Sequence, residues 1–287
     1  MKLKWKNLIR LGVCKVDHVQ QLPYSNDAGL GQTAKIGLIV LQTDQTLEDE
    51  FRQMLVIDGV ACYHSRIANA MHVTPQTLVQ MQIDLPLAAR LLPQAFAFDA
   101  IGYGCTSGAT IIGEAQVAQL ILAEHPSAKV SNPLTACKAA CGALKLNNIA
   151  LLTPYSPHVT QALSDNLNAS GIKVCRTGYY DIEDDFTVGR VDASSIFNAI
   201  VALGAYAECD GVFVSCTSLR VANIIHKAEQ KLGKPVISSN QALAWHLLRL
   251  SGVSCNLAQE LSQKTGQKPG QFGTLFNQPL PNSPLPN

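Results

Sequence analysis

Short apolar runs rich in β-branched residues, alternating with stretches of helical periodicity, set the pattern of this chain. Ile36-Gly37-Leu38-Ile39-Val40-Leu41 has no polar position. A run apolar on both faces is what a strand inside a parallel sheet requires. Ile149-Ala150-Leu151-Leu152 reads the same way. A second pair of runs spans Asp99 to Ser107 and Asp210 to Ser218; each starts with Asp, passes through a strand and reaches Cys-Thr-Ser six residues on. Ile36 and Cys105 are 69 positions apart, Ile149 and Cys216 are 67. The chain repeats itself as two similar halves of alternating strands and helices.

Behind each Cys-Thr-Ser the pattern turns helical, through Ile111, Ala115, Ala118 and Leu122 and, less cleanly, through Ala222, Ile225, Glu229 and Leu232. Each half adds a short strand, near Val130 and over Val236-Ile237-Ser238. Helices follow over Leu134–Leu144, entered at Pro133, and Gln241–Leu250, capped by Asn240. The expected fold is α/β: two lobes related by a pseudo-two-fold axis, each a short parallel sheet flanked by helices, with a ligand cleft between them. Ligands of such sheets bind beyond the C-terminal strand ends, where both Cys-Thr-Ser turns sit. The divisions read as an N-terminal arm (1–33), a first lobe (34–145, completed by part of 251–275), a second lobe (146–250) and a disordered Pro-rich tail (276–287).

Composition narrows the function. The 287 residues carry 22 basic and 21 acidic side chains, a net charge of +1, and 47% are hydrophobic. That balance excludes a nucleic-acid binder, which needs a basic excess, and a disordered chain. No run of 18 apolar residues spans a membrane, and no signal-peptide core follows the basic start. Nine cysteines without close pairing read as reduced thiols, which points to the cytoplasm. The charge-poor surface points to a homo-oligomer, a dimer or tetramer.

A thiol between a strand end and a helix N-terminus sits where N–H groups and the helix dipole favour negative charge, which lowers its pKa. The same N–H groups and the Thr and Ser hydroxyls can hold a carboxylate. Two such turns face one small acid with two thiols. One can take a proton as thiolate while the other delivers one, or one can add to a double bond. Other motifs fit less well. A phosphatase loop needs Arg six positions after its Cys, where Ile111 and Ala222 stand, and Gly102-x-Gly104 lacks the third glycine of a dinucleotide fingerprint. Cys137 and Cys141 share one helix face with no second pair to complete a metal site, and the seven histidines show no ligand spacing.

At these turns the sequence resembles the aspartate/glutamate racemase superfamily, in the branch of maleate cis-trans isomerase, arylmalonate decarboxylase and the ectoine-utilisation protein A. The resemblance covers about residues 34–275. It rests on Gly37-Leu38-Ile39-Val40 leading to Thr46-Leu47-Glu48-Asp49-Glu50-Phe51, on Val73-Thr74-Pro75 and on Cys105-Thr106-Ser107-Gly108. It continues through Leu152-Thr153-Pro154-Tyr155, Gly189-Arg190-Val191 and Ser215-Cys216-Thr217 to the run from Gly233 to Leu243.

The resemblance implies a cofactor-free isomerase or racemase of a small carboxylic acid, with Cys105 and Cys216 as the reacting pair and no metal. It also implies that Thr106, Ser107, Thr217 and Ser218 cradle substrate carboxylates, and that the Tyr155 hydroxyl donates to a carboxylate or enediolate oxygen. The decarboxylase of this branch has glycine where Cys105 stands, which favours isomerase chemistry. Glutamate racemases follow the second Cys-Thr with His, where this chain has Ser218. Maleate isomerases place Asn at the positions matching Asp44 and Asp185. Two carboxylates would repel a dianion, which points to a substrate with a cationic or hydrogen-bond-donating group. Asp44 is equally placed to cap the helix that starts near Thr46. A decarboxylase of a malonate-type acid, or a ligand-binding relative without turnover, are the alternatives.

Overall fold

The computed structural model of the protein describes residues 20–70, 75–182, 184–253, 257–266 and 270–281. The first nineteen residues, Val73-Thr74, Cys255 and everything past Pro281 lie outside the described residues. The first half runs β1 (Ala34–Leu41), α1 (Leu47–Met54), β2 (Val60–Ile67), α2 (Pro75–Arg90), β3 (Ala100–Gly104), α3 (Thr106–Ile112), α4 (Glu114–Leu122), β4 (Lys129–Ser131) and α5 (Pro133–Leu144). The second runs β5 (Asn148–Thr153), α6 (Pro157–Ala169), β6 (Lys173–Tyr179), α7 (Asp185–Val188), α8 (Ala193–Gly204), β7 (Gly211–Val214), a 3-10 turn at Ala222–Ile224, α9 (Ile225–Leu232), β8 (Val236–Ser238) and α10 (Ser239–Leu250). Then come α11 (Leu257–Thr265) and a 3-10 turn at Thr274–Asn277.

Two parallel four-stranded sheets result, ordered β2-β1-β3-β4 and β6-β5-β7-β8. Strand order reverses between β1 and β3 in one sheet and between β5 and β7 in the other. These are the two switch points, the places where open α/β sheets generally bind ligands. Register brings Val40 level with Gly104 and Leu152 level with Val214, so the loops that follow start side by side. Asp99 and Asp210, which open the repeated motif, lie at the other end of their strands. Asp99 Oδ2 accepts from Lys35 N–H at 2.7 Å, and Asp210 Oδ2 from Asn148 N–H at 2.9 Å. Six residues of strand place them about 20 Å from the cysteines, so the repeated acid pins strand starts and takes no part in the cleft.

Several elements differ from the sequence reading. The edge strands β2 and β6 were not expected; their polar residues, such as His64, Arg66 and Arg176, face outward and break up the apolar pattern. The helix after Cys105 is split at Gly113, whose φ of 95° ends α3 and starts α4. Ser238, not Asn240, caps α10, in a capping box with Gln241. Cys175 and Cys209 are joined in a disulfide, so these two are not reduced thiols as expected. Residues 276–281, expected to be disordered, are docked. Phe276 is buried, and the Gln278 carbonyl accepts from Trp245 Nε1 at 2.9 Å and Arg249 Nε at 3.0 Å.

The second half's last helix, α10, lies across the first sheet. A Cβ added at Gly102 of β3 would come 2.8 Å from Leu247 of α10, so glycine lets the helix seat on the strand. One apolar core runs through both halves, from Ile36 and Leu38 through α10 to Ile149, Leu151 and Phe213. A smaller core fills the far face of the second sheet, from Ala150 and Val212 to Ile196 and Ile200. Among the described residues no helix is long and apolar enough to cross a membrane.

Candidate active site

Cys105 ends β3 and caps α3. Its backbone is extended, and its sulfur accepts from Gly108 N–H at 3.2 Å, with the Ser107 hydroxyl 3.6 Å away. Gly108 is required by close approach, because a Cβ there would sit 2.6 Å from Tyr103 Oη and 2.9 Å from the Cys105 sulfur. Cys216 ends β7 differently. Its φ is 125°, a conformation that side chains other than glycine rarely adopt and that marks a locally strained turn. No helix starts behind it, contrary to the sequence reading. The chain turns through Thr217–Val221 before the 3-10 turn, and α9 begins only at Ile225.

The two turns are tied to each other. The Ser239 hydroxyl accepts from Cys216 N–H at 3.0 Å and shares a 2.9 Å hydrogen bond with the Thr106 hydroxyl. The Thr217 hydroxyl donates to the Gly104 carbonyl at 3.3 Å, and the Thr46 hydroxyl to the Ser218 carbonyl at 2.8 Å. Thr106 and Thr217, expected to hold substrate carboxylates, thus hold the turns together. Tyr155, just past β5, is buried near Cys216 and Cys105. Burial pushes this phenol well above the usual tyrosine range, so it stays a neutral donor.

Asp44 and Asp185 lie near each other and near Cys216. Asp44 Oδ1 accepts from Thr46 N–H at 2.7 Å and Leu47 N–H at 2.8 Å, so the cap reading holds for that oxygen. Asp44 Oδ2 is buried without a hydrogen-bond partner. Asp185, the first residue of α7, accepts from the Thr43 hydroxyl at 2.5 Å and from the Ser218 hydroxyl at 3.2 Å, joining the loop after β1 to the Cys216 turn. Thr43 is held in turn by Asn69.

Burial decides the state of the thiols. It pushes Cys105 up to about 11, against the pull of Ser107 and Gly108 N–H, with the charge of Asp185 adding to the rise. Cys216 is driven higher still, by burial and then by Asp185 and Asp44. The expectation of a thiol acidified by its helix N-terminus is therefore not met by the protein alone: desolvation outweighs the few N–H donors.

The sequence reading gave no site role to Glu50, Ser239, Thr43 or Tyr103, and made Asn240 only a helix cap. Glu50, on α1, reaches across to the second turn. Its Oε1 accepts from Val221 N–H at 2.7 Å and Ala222 N–H at 2.8 Å, and its Oε2 from Asn240 Nδ2 at 2.8 Å. Asn240 Nδ2 also donates to the Thr217 carbonyl at 2.9 Å. Burial raises the Glu50 carboxyl to about 7. Glu50 and Val221 are 171 positions apart, so no local pattern could have linked them.

Two parallel-sheet lobes that each present a cysteine at a switch point define an enzyme of the racemase–isomerase superfamily. The arylmalonate decarboxylase family model matches residues 108–262, more than half of the sequence, and the chain belongs to that family. A maleate isomerase of Geobacillus stearothermophilus is 27% identical over 75% of this chain and 90% of its own. The arylmalonate decarboxylase of Bordetella bronchiseptica is 32% identical over 47% of this chain and 52% of its own. The fold matches a maleate cis-trans isomerase of Nocardia farcinica with a TM-score of 0.71, at 23% identity, over 80% of this chain and 98% of that one. That structure is of a cysteine-to-serine variant with a covalently bound succinylcysteine intermediate. The chain is thus an isomerase or decarboxylase of this family.

Proposed function

We propose that the chain isomerises or racemises a small carboxylic acid at a carbon next to the carboxylate, without a cofactor, using Cys105 and Cys216 from opposite sides. The observation that carries this reading is the equivalence of the two turns. Both thiols follow a central strand beside a switch point, and Tyr155 is buried near the pair. Cys105, the less perturbed thiol and the one with N–H and hydroxyl donors at its sulfur, is the base or nucleophile. Cys216 is the acid.

In a racemisation, the Cys105 thiolate takes the α-proton, the electron pair delocalises into the carboxylate, and the Cys216 thiol protonates the opposite face. In a cis-trans isomerisation, Cys105 adds to the double bond while Cys216 protonates the neighbouring carbon. Rotation about the resulting single bond and reversal of both steps release the product. The succinylcysteine of the Nocardia enzyme supports the second route. Tyr155 and the half-buried Ser107 are the donors placed to hold the carboxylate.

The test is α-proton exchange of small acids into heavy water and maleate-to-fumarate conversion, both followed by NMR. Cys105→Ala and Cys216→Ala are each expected to slow turnover by about a thousandfold, within the range of lost acid–base catalysis. Wild-type rates in either variant would overturn the reading. The match to the decarboxylase model favours one other reaction, loss of carbon dioxide from a malonate-type acid. Release that survives Cys105→Gly but not Cys216→Ala would select it.

A further inference from the structure

Helix α2 is apolar on two sides. Its inner side buries Leu85, Ala88 and Ala89, and the turn that ends it buries Leu92. Its outer side carries Val79, Ile83 and Leu87, continued by Leu91 in the same closing turn, each between 52% and 73% exposed. A spacing of four residues lines these side chains up as one ridge along the helix. On α6, α8 and α9 the outward positions are polar instead, as at Gln161, Asp165, Asn198, Lys227 and Gln230. A helix apolar all round belongs in an interior, so the outer ridge of α2 calls for a cover.

We infer that this ridge is a homodimer interface, covered by the same ridge of a second copy of the chain. The four side chains leave roughly 400 Å² of apolar surface facing water, the size of patches that mark interaction sites. Two copies joined there would cover about 1,300 Å² in all once the polar rim of an interface is included, above the ~1,000 Å² that a specific interface needs. The ridge also suits its own copy. Two ridges of residues four apart interdigitate when their helices cross at about 50°, and a two-fold contact uses one patch twice. The charges flanking the ridge are already satisfied within the chain. Glu124 accepts from Arg90 Nε at 2.9 Å and Nη2 at 2.7 Å, and Asp84 accepts from Gln80 Nε2 at 2.9 Å. A second apolar ridge can therefore close over α2 without stranding a charge.

The test is the mass of the full chain in solution. Sedimentation equilibrium at micromolar concentration should give twice the mass of one chain. Ile83→Lys/Leu87→Lys places two charges on the ridge and should raise the dissociation constant at least about a hundredfold, as expected when two interface anchors are lost. The milder Ile83→Ser/Leu87→Ser pair should weaken the dimer about tenfold and replaces the lysine pair if that variant does not fold. Tyr24→Lys, at an apolar side chain 82% exposed in the N-terminal arm, should leave the dimer intact. Thermal unfolding checks that each variant is folded. A wild-type monomer, or an oligomer that the ridge variants leave unchanged, would overturn the interface. A monomer that the lysine pair makes less stable would mean that another segment of the same chain covers the ridge, and overturns it as well.

Discussion

The two cysteine turns occupy equivalent places in equivalent sheets, yet they are held by different means. The Cys105 turn organises itself: the sulfur caps α3, the helix starts at the next residue, and Gly108 makes room. The Cys216 turn has a left-handed backbone, no helix behind it and few local supports. Glu50, Thr46 and Asn240 hold it from outside, and Glu50 and Thr46 come from the first half of the chain. Repetition of topology has therefore not produced repetition of chemistry. The strained turn, fixed by distant groups, is the one whose thiol is proposed to deliver the proton.

The sharpest way to break this contrast is Glu50→Ala. It leaves the Val221 and Ala222 N–H groups and one hydrogen of Asn240 Nδ2 unpaired and should destabilise the protein by about 4 kcal/mol, since each unsatisfied buried donor costs about 1–3 kcal/mol. Chemical denaturation measures the loss. Iodoacetamide mapping should show Cys216 changed in reactivity and Cys105 unchanged; equal changes at both would erase the asymmetry.

A smaller effect comes from the proton on Glu50. Its carboxyl is raised from 4.5 to about 7, so the native state keeps a proton that the unfolded chain has lost. Stability should fall as pH rises from 4.5 to about 7, by about 3 kcal/mol, and level off above. Glu50→Gln should flatten that slope in denaturation curves across pH.

Gly108→Ala probes the other turn. The added methyl must push aside Tyr103 and the Cys105 sulfur, at about 2 kcal/mol, typical of an overpacked core. Here Cys105 alkylation should change and that of Cys216 should not. The mildest expected change is Ser239→Ala, which removes the link between Cys216 N–H and Thr106 for about 1 kcal/mol. Its kcat should drop more than its stability does.

What was legible in the sequence is what local pattern encodes. The buried strands β1, β3, β5 and β7 announce themselves by apolar runs, and the repeated Cys-Thr-Ser locates both turns. The edge strands β2 and β6 escaped because their exposed polar residues break up the apolar run. Glu50, Asn240 and Ser239 escaped because their partners are 23 to 190 positions away. The thiol states were misjudged for a related reason: a helix N-terminus is visible in sequence, whereas the degree of desolvation that outweighs it depends on the closed packing of both lobes.

The seating of α10 on the first sheet bears on how such a chain can be divided. A fragment ending near residue 145 would leave the Gly102 face of β3 without its cover, and the matching fragment would carry a helix with no sheet to rest on. Neither piece is a self-sufficient half. Expressed together, however, each supplies the surface the other lacks, so reconstitution from two separately made fragments is expected where either alone fails.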